Sequence, residues 1–428
     1  MTLADPQGVL DRLQAERRIP SLVAGRLGAG RLVWTGGAGD VAGPVADTQY
    51  RIGSITKTMV AVAVLRLRDE GLLDLDAPLG RHLDCGYAEV TLRALLAHTG
   101  GLQSEPVGPW WERSPGVDLA ALLAANDGAR AVAAPGSWFH YSNLGYALLG
   151  AVVAHVRGRD WWHVVRDEVL APLGMDRTTY APQGPAAQGL SVDHLRSTLV
   201  EEPHQDTGAM APAGQLWSTV TDLGRWAGFL ATGHPDVLAA ATLAEMAHPQ
   251  DPATDYGLGL RTVGRWTGHT GSMPGFVASC FVDRATGDGA VALSNATLGL
   301  PADAVPDLLH APDPAPVAEP VTPWRPATEV PAIADEVVGW WFWGTTAIEL
   351  RWSSGLVESR VVASGRLTDR FAVVEDGLVG VEGYHRGERL DIVRGRDGGV
   401  HHLTCATFVY TRTPYDPTAA IPGLPLTP

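Results

Sequence analysis

The spacing of apolar residues changes character along this chain. Residues 6–18 place Val9, Leu10 and Leu13 on one face of an amphipathic helix that Pro20 stops. The short apolar runs 21–27 and 31–35 flank Gly28-Ala-Gly30 and predict two strands of a hairpin. Met59-Val-Ala-Val-Ala-Val-Leu65 is apolar on every side and predicts a buried helix from the stretch 51–58 to about Asp69. Further helices are predicted over 91–97, from Leu144 to about His155, over 161–170 and over 223–230, the last with Asp222 as its N-cap. Residues 256–262, 265–269, 276–282 and 290–293 read as strands between Gly, Pro and Asp turns.

The order is strands, then many helices, then strands. It predicts an α+β domain over residues 1–310, with an antiparallel sheet built from both chain ends. Residues 311–332 are proline-rich and read as an extended linker. Beyond them the period shortens. The runs 339–343, 347–352, 356–360, 370–374, 378–381, 390–393 and 406–410 alternate with Gly, Asp and Ser turns, predicting a small all-β, barrel-like domain over 333–414 and a tail over 415–428. Its Trp340–Trp343 cluster is read as core.

Composition narrows the function. A formal net charge of −15 with no basic run argues against nucleic acid as a partner. No apolar run reaches the length of a membrane span, and no signal-peptide pattern opens the chain. The three cysteines are far apart and without metal-type spacing, so they read as free thiols in a reducing, cytoplasmic compartment. No cofactor and no metal are expected. His194, His204, His401 and His402 are read as surface residues, His98 as a structural turn residue, and the oligomeric state is left open.

One residue type is conspicuous. Lys57 is the only lysine in the protein, and every other basic side chain that is always charged is arginine. Arginine stays protonated, whereas a buried lysine can release its proton and act as a base. Ser54 lies three residues earlier, on the same helical face, and a serine needs a neighbouring base to become a nucleophile. Taken singly, Ser54 is equally a helix cap and Lys57 a surface lysine.

Two further stretches complete a pattern. Tyr141-Ser-Asn143 stands just before an apolar helix, and His269-Thr-Gly-Ser272 runs along a predicted strand. Together with Ser54-Ile-Thr-Lys57 they resemble the three motifs S-x-x-K, Y-x-N and [K/H]-T-G of the penicillin-recognising serine hydrolases. That family includes DD-peptidases, class C β-lactamases, and related esterases and D-amino-acid peptidases. The flanks 95–101, 135–145, 172–175 and 214–219 resemble it too, so the likeness covers roughly residues 5–300.

The resemblance implies a β-lactamase/DD-peptidase-like fold, an antiparallel sheet flanked by helices plus an all-helical part. It implies Ser54 as nucleophile, Lys57 as its base and Tyr141 as a second proton carrier. Asn143, His269, Thr270 and Ser272 would bind substrate, and the backbone N–H groups of Ser54 and Ser272 would form the oxyanion hole. His269 replaces a lysine often found there, which weakens recognition of a free carboxylate and favours esters or amides without one. The expected reaction is hydrolysis of a small ester, amide or peptide through an acyl-serine. The alternatives are transfer of the same acyl group to an amine, as in peptide cyclisation, and a silent binding homologue.

Overall fold

The computed structural model describes residues 5–251, 253–312 and 321–414. The chain divides into two compact units. The first runs to Ser191 and resumes from Glu201 to Arg325, and the second comprises Val192–Val200 and the chain from Pro326 onward.

The first unit opens with α1 (Pro6–Arg17), β1 (Ser21–Gly28), β2 (Arg31–Gly39) and the short β3 (Tyr50–Arg51). Helices α2 (Ile55–Asp69), α3 (Leu92–Leu96), α4 (Leu119–Ala125), α5 (Asn143–Arg157) and α6 (Trp161–Val164) follow. The helix predicted over 161–170 changes to π geometry at Val165–Leu170. The hairpin β4 (Leu190–Val192) and β5 (Leu199–Glu201), whose residues Val192–Val200 count with the second unit, comes next, then β6 (Trp217–Ser218), α7 (Val220–Thr232) and α8 (Ala240–Ala247). Strands β7 (Arg261–Val263), β8 (Trp266–Met273), β9 (Phe276–Asp283) and β10 (Gly289–Ser294) and helix α9 (Val305–Leu309) complete it.

Six strands form one antiparallel sheet in the order β2-β1-β10-β9-β8-β7, so the two chain ends meet where β1 pairs with β10. Alternation gives each strand two apolar faces. Leu22, Ala24, Ala290 and Ala292 pack with Val9 and Leu10 of α1 and Val305 and Leu309 of α9. Val23, Val291, Leu293, Ala278 and Cys280 belong to the main core with α2, α5 and α7. Helix α2 is buried on nearly all sides, as its unbroken apolar run requires.

Two local expectations are corrected. The N-cap of α7 is Thr219, whose Oγ1 accepts from the Asp222 N–H at 3.1 Å, and Asp222 stands in the first turn. Tyr256–Leu260 is not a strand, and regular pairing starts only at Arg261. In the Pro-rich stretch, residues 313–320 lie outside the described ones. Trp324 is held by the Gln14 side chain through both its N–H (3.0 Å) and its carbonyl (2.8 Å), so this part is anchored on the first unit. The tail 415–428 is also outside the described residues.

The second unit is a closed antiparallel barrel of β11 (Gly339–Trp343), β12 (Thr346–Ser353), β13 (Leu356–Val361), β14 (Leu367–Val374), β15 (Gly377–Gly383), β16 (Arg389–Arg394), β17 (Val400–Cys405) and β18 (Phe408–Thr411), preceded by α10 (Ala332–Val337). Closure removes the sheet edges that an open module would expose. Helix α10 touches β12, β15 and β17 and so plugs one end, its Ala334 and Val337 joining the interior core. Of the tryptophan cluster only Trp341 is fully buried; Trp340 and Trp343 are each 47% exposed. His402 is buried as well and so is not a surface residue, while the partly exposed His204 packs on Trp217 and Phe276.

Candidate active site

The first turn of α2 presents Ser54 and Lys57. Ser54 occupies the N-cap position, but its side chain makes no capping hydrogen bond. Its Oγ instead lies 2.9 Å from Lys57 Nζ. Lys57 is fully buried. Its Nζ donates to Asn143 Oδ1 at 2.7 Å and to the Ala213 carbonyl at 2.6 Å. Two fixed acceptors thus hold two N–H bonds, and the third position of the amine points at Ser54. That position is a proton when the amine is charged and a lone pair when it is neutral.

Electrostatics favour the neutral form. Taking an ammonium out of water is costly, and burial pulls the Lys57 pKa down to about 7, against the opposing pull of the Glu105 and Glu112 carboxylates. At neutral pH the side chain is therefore divided between its two forms.

The second motif stands at the start of α5. Ser142 caps the helix through the Gly145 N–H, and its own hydroxyl donates to the Gln103 carbonyl at 2.6 Å. Its N–H donates to Nδ1 of the buried His98 at 3.0 Å. His98 is thus the post that fixes this loop. Tyr141 leans against His98, with ring centroids 4.1 Å apart, and its ring centroid lies 5.0 Å from Lys57 Nζ. Burial pushes the Tyr141 phenol well above its ordinary range, so it stays protonated at neutral pH.

The third motif lies on β8. Strand β7 pairs with β8 only as far as Gly268, so beyond that point one edge of β8 is free of any sheet partner. Met273 pairs with Phe276 across a two-residue hairpin, and the alternation of an antiparallel ladder turns the Ser272 N–H outward to that free edge. Gly53 lies against it, because a Cβ on Gly53 would come 2.5 Å from the Ser272 nitrogen. A Cβ on Gly271 would come 1.9 Å from the Ile52 carbonyl oxygen. Glycine at these two points lets the strand and the start of α2 close on each other, which brings the Ser54 and Ser272 backbones side by side.

His269 faces α2 from the same strand. It is buried, its Nε2 lies 3.0 Å from the Tyr256 hydroxyl, and its Nδ1 contacts the Thr270 carbonyl. Burial depresses its pKa to about 3, so the ring is neutral and offers no cation. Alternation sends the Thr270 side chain to the opposite face of the sheet, where Thr270 pairs with Ser279. Ser272 is exposed and reaches the site by its backbone.

Two contributors were not singled out from the sequence. Glu105 accepts from Asn143 Nδ2 at 2.7 Å and from Trp111 Nε1 at 2.6 Å, and so fixes which way the Asn143 amide faces. The Ala213 carbonyl, at the end of the 3-10 turn Gly208–Ala213, is the other acceptor for Lys57. Glu105 lies in the loop 103–117 expected to border a pocket, but a backbone carbonyl carries no signal in the residue type.

Fold and motifs together define a β-lactamase-fold chain of the serine hydrolase class. The beta-lactamase family profile matches residues 7–311, and the protein belongs to that family. Residues 330–412 match a second family described as a domain of unknown function (DUF7586). Over 202 residues the chain is 31% identical to the D-alanyl-D-alanine-carboxypeptidase/endopeptidase AmpH of Escherichia coli, covering 43% of this chain and 49% of the relative. It is 35% identical over 191 residues to Esterase EstB of Burkholderia gladioli, covering 39% and 48%. The chain spans about half the length of these curated relatives. A D-stereospecific amidohydrolase from Streptomyces sp. superposes with a TM-score of 0.58 at 27% identity, covering 68% of this chain and 94% of that one. Among the described residues, no helix is long and apolar enough to cross a membrane.

Proposed function

We propose that this protein is a serine hydrolase that cleaves small esters or amides through an acyl-Ser54 intermediate. The observation that carries the reading is the buried Lys57 amine, 2.9 Å from Ser54 Oγ and with its other N–H bonds already held by Asn143 and Ala213. Neutral Lys57 takes the Ser54 proton as Oγ attacks the acyl carbon. The oxyanion forms beside the Ser54 and Ser272 N–H groups, at the positive end of α2. Tyr141, protonated and beside Lys57, passes a proton to the leaving group. Water then attacks the acyl-enzyme, with its proton returning through Tyr141 and Lys57.

The charges around the site favour one kind of substrate. The Glu105 and Glu112 carboxylates act on Lys57, and His269 is neutral. A substrate with a free carboxylate next to the scissile bond meets repulsion and no partner, whereas a neutral or amine-bearing one does not. Relatives that are an esterase, a carboxypeptidase/endopeptidase and a D-stereospecific amidohydrolase support esters and amides as the substrate class. Three unpaired cysteines agree with a cytoplasmic location. Assays with p-nitrophenyl esters, D-amino-acid amides and nitrocefin side by side test the substrate class. Turnover of the first two, with little of nitrocefin, is expected, and turnover of nitrocefin alone overturns it.

A further inference from the structure

The turn-rich end of the barrel gathers three side chains that the hydrolase reading leaves unused. His385 and Glu388 stand in the turn between β15 and β16, and Cys405 ends β17, paired with Leu390 of β16. One donor atom from each, an imidazole nitrogen, a carboxylate oxygen and a thiol sulfur, all lie within 4.8 Å of one another. His385 Nδ1 is 2.6 Å from Glu388 Oε2, while Nε2 faces the Tyr410 hydroxyl at 3.4 Å. The His385 N–H donates to Asp369 Oδ1 at 2.7 Å, which clamps the turn.

Cys405 is the odd member. It is fully buried, and among the described residues its sulfur makes no hydrogen bond. A divalent cation between the three donors would give the buried sulfur a partner.

The donor set is selective. Nitrogen, oxygen and sulfur together suit Zn²⁺, whose tetrahedral shell holds such atoms at about 2.0–2.3 Å and hence roughly 3–4 Å from one another. The donors lie within 4.8 Å of one another, and His385 Nδ1 and Glu388 Oε2, now 2.6 Å apart, reach that range when the half-exposed Glu388 turns slightly away from the ring. Tyr410 occupies the place of the outer partner that holds the second nitrogen of a metal-bound histidine and fixes its tautomer.

We propose that the C-terminal barrel binds one Zn²⁺ ion through His385, Glu388 and Cys405. On binding, the Cys405 S–H bond breaks, its proton passes to solvent, and a sulfur–metal bond forms without change of oxidation state. His385 also lines a cavity of about 650 Å³, together with Trp343, Tyr384 and Phe408. Three protein donors leave the fourth tetrahedral position to water or to a donor atom of a molecule in that cavity. The proposal is independent of the hydrolase reading.

The test is titration of the full-length, chelator-stripped protein with Co²⁺ alone, read by the thiolate-to-cobalt charge-transfer band in the near ultraviolet. One equivalent is expected to saturate the band, Zn²⁺ to bleach it, Cys405→Ser to abolish it and Cys85→Ser to leave it unchanged. Glu388→Gln, at a side chain 46% exposed, keeps the fold and is expected to weaken binding about a hundredfold or more. Absence of the band in the wild type, its survival in Cys405→Ser, or unchanged affinity in Glu388→Gln overturns the site. Should Cys405→Ser fail to fold, the wild-type and Glu388→Gln titrations decide.

Discussion

Asn143 and Glu105 form a two-member support beneath the buried Lys57. Glu105 accepts from the Asn143 amide nitrogen at 2.7 Å, and the amide oxygen so oriented accepts from Lys57 at 2.7 Å. The pair does two things. It sets the direction in which the Lys57 amine points, and it places a carboxylate where it partly offsets the loss of water around that amine.

The Lys57 titration should govern the acid side of the rate profile. Burial lowers its pKa to about 7, and the base is the neutral form, so activity is lost as the pH falls through that value and is present above it. Tyr141 is raised rather than lowered and adds no ionisation near neutrality. We expect kcat/KM to climb about tenfold per pH unit below about 7 and then to level off. A profile flat from pH 5 to 8 would exclude Lys57 as the base.

Glu105→Gln should move that limb in a defined direction. The Glu105 charge raises the Lys57 pKa, so its removal lowers it, and the midpoint should shift to lower pH. The amplitude should fall as well, because Trp111 Nε1 and Asn143 Nδ2 donate to different oxygens of the carboxylate, and a glutamine offers only one acceptor oxygen. A fall in rate with an unmoved midpoint would reduce Glu105 to a packing role.

Gly271→Ala tests the closure of β8 on α2. The added methyl meets the Ile52 backbone, which cannot step aside without opening the site. A stability loss of about 1–3 kcal/mol is expected, as for other overpacked interiors, along with loss of Ser54 reactivity. Thermal melting and active-site labelling measured together check both. A variant with wild-type melting and labelling would show that the approach is looser than this.

Much of this architecture is legible in the residues, and the exceptions have physical causes. The apolar run of α2, the hairpin of β1 and β2 and the alternation in β8 to β10 announce themselves, because burial on one or two faces dictates the side chains. Strand β17, Val-His-His-Leu-Thr-Cys, carries too many polar residues to read as a strand, and only closure of the barrel explains it. Tyr256–Leu260 is apolar because it is buried rather than because it pairs. The cap of α7 is misread because Asp222 and Thr219 are both good caps, and the fold uses the earlier one. The three motifs stand out when taken together and in order, while Glu105, the Ala213 carbonyl and the His385–Glu388–Cys405 cluster depend on contacts between distant segments. The neutrality of His269 follows from its burial, which no local pattern reveals.

The most direct test of the central claim is intact-mass and peptide mapping after exposure to a fluorophosphonate probe. One adduct on Ser54 is expected in the wild type and none in Ser54→Ala. In Lys57→Arg, which keeps a charge but cannot supply a base, labelling should slow by about 10²–10⁴-fold while far-UV circular dichroism is retained. A wild-type protein that stays unlabelled where a control hydrolase labels fully, or that carries its adduct on a residue other than Ser54, would contradict the account.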